Sequence, residues 1–274
     1  MSNKLSSSEY LLYSTIKITS LSQGNIIGFG TGFLFMFDKK ENISVKALVT
    51  NKHVIAGADE IFIKFHLASD NDKPKDGFYE ARIPIQNIVI EHPDENIDLC
   101  AIIISHVIHE ASLKGTPITA SFWTMENIPE DSDWQYLDHI EEVTMVGCPN
   151  GLNDMVNNLP LVRRGITATS PNKLYNGRPE FMIDLACFPG SSGSPVFLYN
   201  SNSSYYDAKT RNILWGTRIK LLGILYAGPQ FTNKGEIILN TGPEFKVASM
   251  MHLGNVIRST ELKKIEQVII SLLK

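Results

Sequence analysis

Three cysteines in 274 residues, Cys100, Cys148 and Cys187, are too few and too unevenly spaced for a disulfide-stapled secreted scaffold, so a reducing cytoplasm fits best. No apolar run approaches the roughly 20 residues that a bilayer-crossing helix needs. The longest, Ile83–Ile90 and Leu99–Ile104, are short and interrupted. The N-terminal MSNKLSSSEYLLYSTIKITS lacks a continuous apolar stretch of signal-peptide length. Excess basic charge is missing too: 25 Lys and Arg stand against 29 Asp and Glu, for a net charge of −4. That balance excludes the electrostatic footprint of a nucleic-acid binder. The chain is therefore expected in the cytoplasm, with no membrane and no nucleic-acid partner. Internal repeats and low-complexity tracts are absent; NSNSSYY at 200–206 comes nearest and reads as an exposed loop. The basic pairs Arg163-Arg164 and Lys263-Lys264 read as solvated surface.

What is present is a succession of short segments rich in Val, Ile, Thr, Phe and Tyr, punctuated by Gly, Pro, Asn and Asp. Strands are expected near Leu11–Thr19, Gly32–Phe37, Val45–Thr50, Glu60–Leu67, Tyr79–Ile90 and Asp98–Ile104. A second set follows near Glu142–Cys148, Arg164–Thr169, Phe181–Leu185, Ser194–Leu198, Leu221–Leu225 and Lys246–Ser249. Short strands at this spacing argue for an all-β protein of barrels or sandwiches. Ser105 to about Ile140 is looser and acidic, and reads as the bridge between two halves. The one convincing helix is terminal. In STELKKIEQVIISLLK, Leu262, Ile265, Val268, Ile269 and Leu272 recur at three and four, with Ser259 or Thr260 as cap. Its apolar stripe should dock on the chain's own barrel.

CFPGSSGSPVF, residues 187–197, packs three serines and two glycines into five positions. Alone it is a polar turn before a strand. A serine is a weak nucleophile unless a histidine takes its proton and a carboxylate stands behind that histidine. His66, His92, His106, His109, His139 and His252 sit in polar contexts without distinctive neighbours, and His106 with His109 makes no metal set. His53, in ALVTNKHVIAGAD, lies where an apolar strand ends, a rigid mount facing a cleft. Asp98, in ENIDLCAIII, immediately precedes six apolar residues, where an unpaired charge is costly and a histidine N–H is a suitable partner. An α/β-hydrolase reading through Ser192, Asp207 and His252 fails. Position 194 is serine where the elbow needs glycine, and the β-like PVFLY follows where a helix is required.

The order His53, Asp98, Ser192 is that of chymotrypsin-type proteases. The chain resembles the bacterial high-temperature-requirement branch of trypsin-like serine proteases in six ordered segments: LVTNKHVIAGADEI, NIDLCAIII, VGCPNGL, RRGITATS, IDLACFPGSSGSPVF and LLGILYAG. The likeness runs from about residue 12 to 250. It implies two six-stranded antiparallel β-barrels of chymotrypsin type with a C-terminal α-helix. Residues 1–120 would carry His53 and Asp98; residues 121–274 would carry Ser192 and end in the helix 259–274. In the family pattern Gly-x-Ser-Gly, the nucleophile is Ser192, and the N–H groups of Gly190 and Ser192 form the oxyanion hole. The implied activity is a serine endopeptidase that cleaves protein or peptide substrates through an acyl-enzyme, with no metal and no cofactor. Tyr226, Ala227 and Gly228 would pair with substrate as an added strand. Ala186 and Cys187 would floor a pocket without a carboxylate, favouring a small or medium apolar residue before the scissile bond.

Three departures qualify the likeness. Ser191 stands where digestive relatives have the aspartate that pairs with a newly cut N-terminal amine, so the uncut chain is expected to fold its oxyanion loop, alone or with a substrate or activating protein partner. The 274 − 250 = 24 residues after the last expected strand are too few for the PDZ domain common in that branch. Asn200–Lys220 replaces a tight hairpin with a polar and aromatic insertion, read as a solvated hairpin, with a regulatory or partner-binding loop as the sharper reading. From a different class, the alternative is a trypsin-fold binding or regulatory module with latent or absent catalysis.

Overall fold

Alternation of apolar and polar positions, as in EIFIKFHLA at 60–68, buries one face of a strand and leaves the other toward water. Repeated along the chain, it yields two sheets in a computed structural model that describes residues 5–39, 43–69, 73–236 and 244–272. The first sheet contains β1 (Thr15–Ser22), β2 (Asn25–Lys39), β3 (Ile43–Thr50), β4 (Glu60–Ala68), β5 (Pro74–Pro84), β6 (Val89–Glu91), β7 (Cys100–Ile103) and β8 (Ile118–Thr119). Its order is β5-β4-β1-β2-β3-β7-β6, with β8 added to β4. A turn at residues 85–88, with Asn87 at φ of +65°, separates β5, which pairs with β4, from β6, which pairs with β7. The first sheet thus has eight strands rather than the expected six, and the expected strand Tyr79–Ile90 is broken by this turn.

The second sheet is a closed barrel in the order β10-β11-β16-β13-β12-β9. Its strands are β9 (Glu142–Gly147), β10 (Leu161–Thr167), β11 (Glu180–Asp184), β12 (Pro195–Asp207), β13 (Asn212–Ala227) and β16 (Leu253–Arg258). Between β13 and β16, β14 (Gln230–Glu236) and β15 (Glu244–Met250) pair only with each other. The architecture is thus the expected all-β one, with a helix α3 (Leu262–Leu272) at the end; residues 273 and 274 of the expected helix lie outside the described ones.

Two further helices are present, α1 (Ser7–Tyr13) and α2 (Ser105–Leu113). Ser6 and Glu9 close a capping box that starts α1, so the first third of the expected strand Leu11–Thr19 is helical instead. The apolar stripe of α3 docks through Leu262, Ile265 and Ile269, while Leu272 at its end is exposed; Leu262 and Ile265 are fully buried in a core shared by Phe33, Phe35 and Val49 of the first sheet and Phe197, Leu221 and Ile257 of the second. The bridging segment is less loose than its composition suggests. Trp123 is buried in that shared core, stacked against Phe197 at 4.7 Å, and its indole N–H donates to Ser14 Oγ at 2.8 Å.

Candidate active site

The register of β3 and β7 sets Thr50 opposite Cys100, so the residues just past the one and just before the other emerge at the same end of the first sheet. There His53 Nδ1 lies 2.5 Å from Asp98 Oδ2, and the backbone N–H of His53 donates to Asp98 Oδ1 at 3.1 Å. Asn51, fully buried, donates its amide to the Asp98 carbonyl at 2.7 Å and fixes the loop from below. Burial pushes the Asp98 carboxyl up. The hydrogen bonds from the His53 ring and backbone, with the backbone N–H of Lys52, outweigh it and hold the group below its ordinary value. An ionised carboxylate only accepts, so the ring proton sits on Nδ1 and the lone pair of Nε2 is left free.

The serine turn belongs to the second barrel but is docked on the first. Thr31 of β2 donates its N–H to the Ser192 carbonyl at 2.9 Å and its hydroxyl to the Gly190 carbonyl at 3.0 Å, while Thr50 donates to the Thr31 carbonyl at 2.7 Å. Phe188–Ser191 form a β-turn closed by Ser191 N–H to the Phe188 carbonyl at 3.0 Å. Pro189 and Gly190 occupy its centre, and Gly190 has φ of +81°, the left-handed value that a type II turn demands and glycine supplies. The Pro189 carbonyl is drawn aside by the N–H of Asn150 at 2.6 Å. Among the described residues, the N–H groups of Gly190 and Ser192 have no protein acceptor. The Ser192 hydroxyl donates to the Tyr226 carbonyl at 3.4 Å rather than to His53. Ser191 and Ser194 are fully buried, with hydroxyl oxygens that find no partner among the described residues.

Tyr226 and Ala227 lie at the end of β13, past the reach of β12, whose pairing stops at Pro195 with Ile224. β16 covers one edge of this segment, and the edge toward Ser192 has no strand partner among the described residues. The Tyr226 side chain turns away from that edge and donates to buried Glu180 at 2.8 Å. Cys187, expected on the pocket floor with Ala186, is buried inside the second barrel with Phe181, Ile183 and Leu225, and burial raises its thiol to about 12. The other cysteines, Cys100 and Cys148, are free and buried too. His92, in a polar stretch of sequence, is buried with Nε2 3.0 Å from Glu261 Oε2. Asn51, Thr31 and Asn150 had no signal in the sequence, because their contribution is made largely by backbone and amide groups brought together only in the fold. Among the described residues no three His, Cys, Asp or Glu could hold a metal, and no helix is long and apolar enough to cross a membrane.

A strand-end imidazole with a free Nε2, an ionised carboxylate behind it, and a serine beside unengaged N–H groups define a class: a two-barrel, serine-type hydrolase site. The trypsin-like peptidase domain matches residues 30–203, more than half of the chain, and the chain belongs to that family of serine proteases. No curated protein matches it. Among solved structures, the serine endoprotease from Yersinia pestis is similar in fold at 17% identity and a TM-score of 0.50. The match covers 98% of this chain and 68% of that one.

Proposed function

We propose that this chain is a serine endopeptidase in which Ser192 is the nucleophile, His53 the general base and Asp98 the residue that orients the ring. The 2.5 Å approach of His53 Nδ1 to Asp98 Oδ2 carries the reading, because it leaves Nε2 as the acceptor a serine proton requires. On substrate entry the Ser192 hydroxyl exchanges the Tyr226 carbonyl for His53 Nε2; such contacts are commonly loose before a substrate arrives. Oγ then bonds to the scissile carbonyl carbon as its proton passes to Nε2. The electron pair displaced onto the carbonyl oxygen is met by the N–H groups of Gly190 and Ser192. Collapse breaks the C–N bond, the amine leaves with the proton from His53, and water releases the acyl group by the same steps.

Tyr226, Ala227 and Gly228 would hold the acyl side as an added strand, and Ala186 would floor a pocket for a small or medium apolar residue. A cytoplasmic location and an activating protein partner belong to the same proposal. A fluorophosphonate probe should label the protein, and Ser192→Ala and His53→Ala should each abolish labelling and peptide hydrolysis. The hydroxyl's present bond to Tyr226 favours a second reading, a binding module with latent catalysis. That reading requires that the wild-type chain stay unlabelled in every condition, candidate partners included.

A further inference from the structure

Arg163 and Arg164 are neighbours on β10 with opposite surroundings. Arg164 is exposed and paired with Glu142 at 2.6 Å, as surface arginines often are. Arg163 faces the other side of the strand, is partly buried, and has no carboxylate within ion-pair distance among the described residues. Its guanidinium instead donates to the carbonyl of Ala186 and lies over the face of Phe188, 5.0 Å from the ring centroid. The Phe188 ring also packs edge-to-face with His252, the centroids 5.6 Å apart. Gly165, two residues along β10 on the same face, allows this: a β-carbon there would fall 2.2 Å from the Asp184 carbonyl. The chain leaving β11 therefore crosses β10 in close contact, and Ala186 arrives beside Arg163.

We propose that Arg163 is a positioning residue that clamps the 186–190 segment from behind and so fixes the oxyanion turn without an N-terminal cleavage. The proposal rests on the protease reading above. Phe188 opens the turn whose third residue is Gly190, so a hold on Ala186 and Phe188 sets where the Gly190 N–H points. Ser191 offers no carboxylate to a new ammonium, and the clamp supplies from β10 the rigidity such an ion pair would give. Arginine suits this task because its planar fork both donates and stacks, whereas lysine presents a point charge.

The test compares wild type with Arg163→Ala and Arg163→Lys in two measurements. The first is amide hydrogen exchange. The Ser191 and Asn150 amides that close the turn should exchange faster in Arg163→Ala, with the amides of β1 and β4 unchanged. The second is binding of a peptide boronate, whose tetrahedral adduct needs the oxyanion donors. Its affinity and kcat should fall about a hundredfold, the scale expected when one such donor is misplaced. KM should be nearly unchanged, with partial recovery in Arg163→Lys. Unchanged exchange at Ser191 and Asn150 in both variants overturns the proposal. Exchange needs no chemistry, so it decides the clamp even if Ser192 proves not to be a nucleophile; boronate affinity that survives in Arg163→Ala overturns the link to the oxyanion hole.

Discussion

At Asp98 two opposing effects meet, and which one wins decides how the site responds to pH. Partial burial disfavours the charge, while the His53 ring and two backbone N–H groups favour it, and the net direction is below the ordinary value of 3.8. A carboxyl depressed in the folded state stabilises the protein above its unfolded value and loses that contribution as pH falls through the lower, folded one. Asp98→Asn should therefore lower the denaturant midpoint at neutral pH. The gap between mutant and wild type should close as the pH is taken below about 4, the ordinary carboxylate range. A constant gap across an acid titration of the midpoint would mean that the group acts by shape and not by charge. The three side chains of the proposed triad were legible because each sits at a strand end or in a glycine-rich turn with a distinctive local pattern. Arg163 was not: two adjacent arginines on a strand point to opposite faces, and nothing local says which face a second chain segment will cover.

At the scale of elements, the insertion at Asn200–Lys220 is a two-stranded ribbon that leaves the barrel. β12 pairs with β9 only over Val196–Leu198, and beyond Asn200 it pairs with β13 alone. Tyr206, Ile213 and Trp215 remain exposed near its tip, and Lys209 reaches Asp133 at 3.3 Å. Replacing residues 203–216 by an Asn-Gly turn should shift the melting temperature by no more than about 3 °C and leave turnover of short peptides intact. A loss of peptide turnover would show that the ribbon supports the site itself. By contrast α3 is structural. Ile265 is fully buried in the core between the two sheets, and Ile265→Ala should cost about 2–5 kcal/mol by denaturant unfolding. A cost near zero would mean that the helix is not docked. The stripe of α3 was readable from its period, whereas α1 was masked by one short apolar run that serves both the helix and the strand after it. β16 was missed because Gly254 and Asn255 interrupt LGNVIR.

Across the whole molecule, the two sheets do not have separate interiors where they meet. One buried cluster draws Phe33 and Val49 from the first sheet, Phe197 and Ile257 from the second, Trp123 from the bridge and Ile265 from α3. The site lies where this shared core brings the turn at Ser192 against Thr31, so neither half holds it alone. Strand alternation revealed the two sets of strands; the turn that parts β5 from β6, and the burial of Trp123, depend on long-range packing that no local pattern encodes. All of the functional account depends on one hydroxyl among three close neighbours being the one that reacts. Fluorophosphonate labelling followed by tandem mass spectrometry of the 187–197 peptide measures this directly. The adduct should sit on Ser192 alone and vanish when His53 is replaced by alanine. An adduct on Ser191 or Ser194, or one on Ser192 that forms equally fast without the His53 ring, would contradict the account.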